Sequence, residues 1–181
     1  MTHKFNPEKI KLVFGLGNPG ARYKNTYHNL GLIILDAIIK KLDGRDMDFK
    51  NHHNFEYLTI GKIVFIKPKI FMNESGMATK SALNYFRAKP EEIIIIHDDS
   101  DLIFRNYKLS FNRGSAGHKG VQSIIDALKS QKIWRLRIGA RNEKNKTKAG
   151  QFVLQPINQK DKEKLEVTQD KVFSNLYKIP K

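Results

Sequence analysis

At 181 residues, with 40% hydrophobic and 28% charged side chains, the chain has the make-up of one globular domain, and no apolar run approaches the ~20 residues of a membrane span. Zero cysteines exclude disulfides, thiolate nucleophiles and cysteine-bound zinc, and with no charged-then-apolar signal segment at the N-terminus the expected compartment is the cytoplasm. A net charge of +15 favours polyanions through counterion release; on charge alone a nucleic acid partner and a Lys-rich solvated surface are both open, with a membrane surface behind them.

The short run Leu12-Val13-Phe14, bounded by Gly15, reads as a buried strand. It breaks into Gly15-Leu16-Gly17-Asn18-Pro19-Gly20, a backbone suited to a sharp turn and a close approach. Ten residues beyond Asn18 stands His28, just ahead of an apolar run over 30–39 that reads as a buried helix. An amide on a strand-end loop, followed by an imidazole at a helix start, is how α/β proteins build active sites. Gly15, Gly17 and Gly20 also match the dinucleotide fingerprint G-x-G-x-x-G. That motif needs its third glycine in the first turn of a helix, whereas here no helical period begins until about Asn29. Asp36, at the distance of the fingerprint's acidic residue, falls inside the helix rather than after a second strand. A nicotinamide cofactor is therefore not expected. A turn without chemistry needs only the glycines and leaves Asn18 and His28 unexplained.

Residues 55–66 read as two strands joined at Gly61-Lys62. Pro68 ends the second, and Ser75 or Asn73 is expected to cap a helix running to about Arg87 with Ala78, Ala82, Leu83 and Phe86 on one face. Phe71 and Met72 precede that helix and, by residue type, read as core. Ile93 to Ile96 form the clearest buried strand, which ends in His97-Asp98-Asp99-Ser100-Asp101. Carboxylates at the carboxyl end of a central strand mark a site, though Asp99 and Asp101 read as solvated turn residues. The run lacks the Gly and distal Glu of a calcium loop, so no metal is expected.

Tyr107, Leu109 and Phe111 alternate with Lys108 and Ser110 as in a half-exposed strand. Gly114-Ser115-Ala116-Gly117-His118-Lys119-Gly120 then leads into a helix over 121–128, a Gly-rich entry that offers free N–H groups to an anion. Ser115 is not a nucleophile elbow, because Arg113 stands where G-x-S-x-G needs Gly. Residues 134–138 form a strand with Arg135 and Arg137 outward, 141–150 a mobile basic loop, and 158–177 an amphipathic helix. No repeat or linker divides the chain.

Asn18 and His28, Asn73, Asp98 and the His118 turn all lie on strand-end connections that can converge on one edge of a sheet. His plus Asp with several amides, and no plausible Ser or Cys nucleophile, suits a base-activated water with amide donors steadying an oxyanion. The ordered set GLGNPGARYKNTYHN, KPKIFMNESG, HDDSDL and GSAGHKG, followed by RLRIG, resembles bacterial peptidyl-tRNA hydrolase from about residue 12 to 154. The resemblance implies a single-domain α/β fold with a mixed central sheet flanked by helices, monomeric and without metal or cofactor. It also implies hydrolysis of the ester joining a stalled peptide to the tRNA ribose. By it, His28 is the base that activates water, Asp98 holds His28 in its basic form, and Asn18 helps to select blocked over free aminoacyl ends. Tyr23, Phe71 and Asn73 meet the acceptor end or the peptide, and Met72 and His118 line the cleft. Lys108, Arg137 and the basic loop then meet tRNA phosphate. Two positions depart from the family pattern: Tyr27 replaces the usual Arg before the catalytic His, and Lys119 the usual substrate-binding Asn, bringing donors and a charge but no acceptor. A non-catalytic RNA-binding module would account for the charge but leave His28 and Asp98 without work.

Overall fold

One seven-stranded sheet is formed by β1 (Leu12–Gly15), β2 (Lys50–Asn51), β3 (Phe55–Ile60), β4 (Ile63–Pro68), β5 (Ile93–Ile103), β6 (Tyr107–Phe111) and β7 (Trp134–Arg141), with the expected apolar strands at its centre. The computed structural model describes residues 4–43, 48–141 and 149–176. Strand order is β2-β3-β4-β1-β5-β7-β6. The central strands β4, β1, β5 and β7 are parallel, while β2 and β3 on one flank and β6 on the other run antiparallel to their neighbours. Parallel strands covered on both faces read as unbroken apolar runs, which is why Ile93 to Ile96 are fully buried.

Side chains alternate between two cores. Ile94 and Ile96 face the helices α1 (Leu30–Asp43) and α5 (Gln159–Leu176), which contribute Ile34, Leu35, Ile38, Leu165 and Val172. Ile93 and Ile95 face α2 (Ser75–Tyr85) and α3 (Lys119–Leu128), through Ala78, Ala82, Leu83, Val121 and Ile124. A short helix, α4 (Ala149–Phe152), follows β7.

Gly15 of the false fingerprint and Gly31 of α1 serve this packing. A Cβ on Gly31 would lie 2.3 Å from the Ile96 carbonyl oxygen and 2.5 Å from that of Leu16, and one on Gly15 would lie 2.8 Å from the Gly31 carbonyl. The first turn of α1 is thus seated backbone to backbone on the ends of β1 and β5.

Several local expectations are corrected. Neither Ser75 nor Asn73 caps α2: Ser75 is its first residue and donates its hydroxyl to the Met72 carbonyl at 2.8 Å, while Asn73 lies in the 3-10 turn Met72–Glu74. β5 does not stop at Ile96 but continues to Ile103, so Asp99 is a buried strand residue and not a solvated turn. Its carboxylate accepts the Arg137 Nε–H at 2.5 Å, which makes the burial tolerable. Arg135 does not point outward: it is 2% exposed, covered by the turn whose Arg113 carbonyl takes its guanidinium N–H at 3.0 Å. α3 begins at Lys119, two residues early, because His118 caps it. Most of the basic loop, residues 142–148, lies outside the described residues.

Candidate functional site

The parallel strands β1, β4, β5 and β7 share one carboxyl edge, and the connections leaving it enclose a cleft of about 510 Å³. Asn18, Tyr23, His28, Phe71, Met72, Asn73, Asp98, His118 and Lys119 all line it, so nine of the sequence-expected site residues come together. Lys108 and Arg137 do not. They line an adjoining groove along β6 and β7, with Arg113 and the buried Arg135, which meets the cleft at Ala116.

His28 lies in the 3-10 turn Tyr27–Asn29 that immediately precedes α1. Its backbone N–H donates to the Val153 carbonyl at 2.7 Å, which ties the turn to the segment after β7. Tyr27 anchors the same turn from below. Its ring packs edge-on against Phe104 and Phe152, and its hydroxyl donates to Asp161 Oδ2 at 2.7 Å while accepting from Asn158 Nδ2 at 2.9 Å. Burial and the Asp161 carboxylate push the phenol up to about 12. Tyr27, the residue that departs from the pattern, therefore seats the His28 turn from outside the cleft.

Asp98, 2% exposed at the end of the buried part of β5, accepts two hydrogen bonds on one oxygen. His28 Nδ1 and His118 Nε2 each lie 2.9 Å from Asp98 Oδ1. Burial alone would raise the carboxyl group; His118 and then His28 outweigh it and hold the group well below the usual carboxylate range. Facing an ionised acceptor, His28 Nδ1 carries the ring proton and Nε2 keeps the basic lone pair. The tautomer of His118 is fixed from its other side: Nδ1 accepts the Val121 N–H at 3.2 Å, so the proton is on Nε2. Beneath it His97, 1% exposed, donates Nδ1–H to the Asp98 carbonyl at 2.6 Å and is kept neutral by burial.

The amides are placed with equal care. The Asn18 backbone is bracketed by one side chain, its N–H donating to Asn29 Oδ1 at 2.8 Å and its carbonyl accepting from Asn29 Nδ2 at 3.0 Å. Asn18 Oδ1 takes the Met72 N–H at 2.9 Å, which leaves Nδ2 as the amide's donor toward the cleft. Met72 is buried, as its residue type suggests, and also forms cleft wall. Phe71 is not core: it is 46% exposed and meets Tyr23 edge to face at 6.4 Å, an aromatic rim of the kind on which bases stack. Sequence reasoning passed over Asn29, His97 and the wall formed by Val153 and Leu154. A polar residue directly after His28 at the mouth of an apolar helix was the available signal for Asn29.

His28, Asp98 and His118 offer ligand atoms within 4.8 Å of one another. A cation on His118 Nε2 would drive the ring proton to Nδ1, against the Val121 N–H, so this donor set fits a hydrogen-bonded relay better than a metal.

Fold and site together define an α/β protein with a base-and-carboxylate cleft on the carboxyl edge of its sheet. The chain belongs to the peptidyl-tRNA hydrolase family, whose model, described as "Peptidyl-tRNA hydrolase", matches residues 12–180. The peptidyl-tRNA hydrolase of Hydrogenobaculum sp. is 39% identical over 152 residues, covering 84% of this chain and 81% of that protein. That of Phytoplasma mali is 35% identical over 173 residues, covering 93% and 97%. The crystal structure of peptidyl-tRNA hydrolase from Acinetobacter baumannii superposes with a TM-score of 0.83 at 25% identity, covering 96% of this chain and 90% of that one.

Proposed function

We propose that this chain cleaves the ester between a peptide, or an N-blocked aminoacyl group, and the 3′-end ribose of tRNA by means of water activated at His28. The observation that carries this reading is the 2.9 Å bond from His28 Nδ1 to the ionised Asp98, which leaves Nε2 free at the cleft. Nε2 takes a proton from water as its oxygen attacks the ester carbonyl, and Asp98 supports the imidazolium that forms. Amide donors on the cleft wall, Asn18 Nδ2 among them, meet the developing oxyanion. On collapse the proton passes from His28 to the departing ribose oxygen, giving a free carboxylic acid and tRNA. No covalent intermediate arises; the Ser115 hydroxyl at the cleft donates to Gln122 Oε1 at 2.7 Å.

Asn18 also favours blocked over free aminoacyl ends, while Tyr23, Phe71 and Asn73 receive the acceptor end or the peptide. Lys108 and Arg137 meet tRNA phosphate along the adjoining groove, with Lys108 the stronger of the two because Asp99 neutralises part of the Arg137 charge. The chain works as one domain, as a monomer, in the cytoplasm and without cofactor. No helix among the described residues is long and apolar enough to cross a membrane.

The test is release of free tRNA from N-blocked aminoacyl-tRNA, with unblocked aminoacyl-tRNA as control. Release from the blocked substrate alone is expected. Binding of both without release would leave an RNA-binding module in its place.

A further inference from the structure

His118 is held at both ring nitrogens. Nδ1 caps α3 by accepting the Val121 N–H at 3.2 Å, and Nε2–H donates to Asp98 Oδ1 at 2.9 Å. Its ring centroid lies 4.9 Å from that of His28 and 4.8 Å from that of the buried His97, so packing as well as hydrogen bonding fixes it. With both nitrogens committed, the imidazole has no polar atom left for substrate. It instead competes with His28 for one oxygen of Asp98. An acceptor shared between two donors gives less to each, and an oxygen held from two sides is not free to swing toward either.

We propose that His118 is a positioning residue: the cap of α3 enforces its Nε2–H tautomer, and that N–H fixes the Asp98 carboxylate and moderates its hold on His28. The start of α3 thereby sets how strongly the base is supported. The inference rests on His28 being the base. Among the described residues, the other titratable groups around this set are few. His97 from β5 is neutral, Asp99 from β5 is paired with Arg137 of β7, Arg135 of β7 is buried and donates to the Arg113 carbonyl, and Lys119 and Tyr23 stand at the cleft wall. The segment after β7 presents Val153 and Leu154. His118 is thus the one among them that shares Asp98 Oδ1 with His28.

Two substitutions separate its two bonds. In His118→Asn the side-chain oxygen can keep the cap but the amide nitrogen cannot reach Asp98; in His118→Gln the amide nitrogen can reach Asp98 and the cap is lost. The measurements are the His28 ring titration by NMR in the free enzyme, the pH profile of kcat/KM on N-blocked aminoacyl-tRNA, and Tm. With the competing donor gone, Asp98 stabilises the His28 imidazolium more. In His118→Asn the His28 midpoint should therefore rise by about half a pH unit or more, with the acid limb of kcat/KM moving alongside it. Its Tm should fall as well, since a bond to a buried carboxylate is lost, so the His28 midpoint and not Tm separates the two variants. In His118→Gln the midpoint should stay in place while Tm falls. An unmoved His28 midpoint in His118→Asn, or an equal shift in both variants, overturns the proposal. A moved midpoint with an unmoved acid limb sustains the coupling and overturns His28 as the base.

Discussion

Replacing Asp98 by Asn tests the relay at its centre. The wild-type carboxylate is 2% exposed and accepts N–H groups at 2.9 Å from both His28 and His118. Hydrogen bonds to a charged group contribute about 1.5–3 kcal/mol against about 0.5–1.5 for neutral ones, so neutralising the acceptor removes roughly 2–3 kcal/mol across the two. An amide oriented to accept both bonds also buries an NH2 group, at about 1–3 kcal/mol if it finds no partner. Relief from burying a charge offsets part of this, and a net loss of about 1–3 kcal/mol is expected, a fall in Tm of roughly 2–12 °C for a chain of this size. The catalytic loss is far larger. The amide cannot stabilise a His28 imidazolium and can turn its N–H toward Nδ1, which favours the wrong tautomer; a positioned base contributes about 10²–10⁴-fold. Single-turnover release of tRNA from N-blocked aminoacyl-tRNA and a thermal melt on the same preparation separate the two effects. A rate within tenfold of wild type, alongside the expected fall in Tm, would make Asp98 a structural acid only and refute the relay.

Tyr27→Phe removes the hydroxyl bonded to Asp161 and Asn158 and should cost about 1–2 kcal/mol, read by denaturant melts, while leaving the pH–rate profile in place. Because the wild-type phenol is raised to about 12, its contribution to stability is present below about pH 10 and is lost as pH rises from there toward 12; the Phe variant should lack that alkaline decline. His97 is pushed well below its ordinary value by burial and by His118, so the folded chain excludes a proton that the unfolded chain binds. Stability should therefore be full above about pH 6.5 and fall as pH drops below it, and His97→Asn should flatten that slope in melts taken between pH 7 and 5. Lys108→Glu should weaken tRNA binding and make the log–log salt slope shallower by about 1 for each phosphate that is no longer neutralised; an unchanged slope would put the phosphate-binding cations elsewhere.

Much of this architecture is legible from the sequence because its signals are local and strong. Ile93 to Ile96 leave no choice but a doubly covered strand, and the late helix after Gly20 disqualifies the dinucleotide reading, as the start of α1 at Leu30 agrees. What stays hidden depends on partners far along the chain. Asp99 reads as a solvated acid until Arg137, 38 residues away, is seen on the neighbouring strand. Arg135 reads as outward because alternation assigns faces but cannot say that a turn will cover one of them. The early start of α3 is missed because imidazole is not among the usual capping groups, although the cap is made by the residue that also bonds Asp98. Asn18 and His28 stand out because nothing in a plain turn needs them, whereas Asn29 is overlooked because its work is to hold Asn18.

The central claim is that His28 delivers water to the ester. Its most direct test is His28→Ala, assayed for single-turnover release of tRNA from N-blocked aminoacyl-tRNA, with tRNA affinity measured on the same sample. Turnover should fall by about 10²–10⁴-fold while affinity stays near wild type, since the ring's polar bond is to Asp98 and the cations proposed to meet phosphate lie in the adjoining groove. Wild-type turnover in that variant would contradict the account.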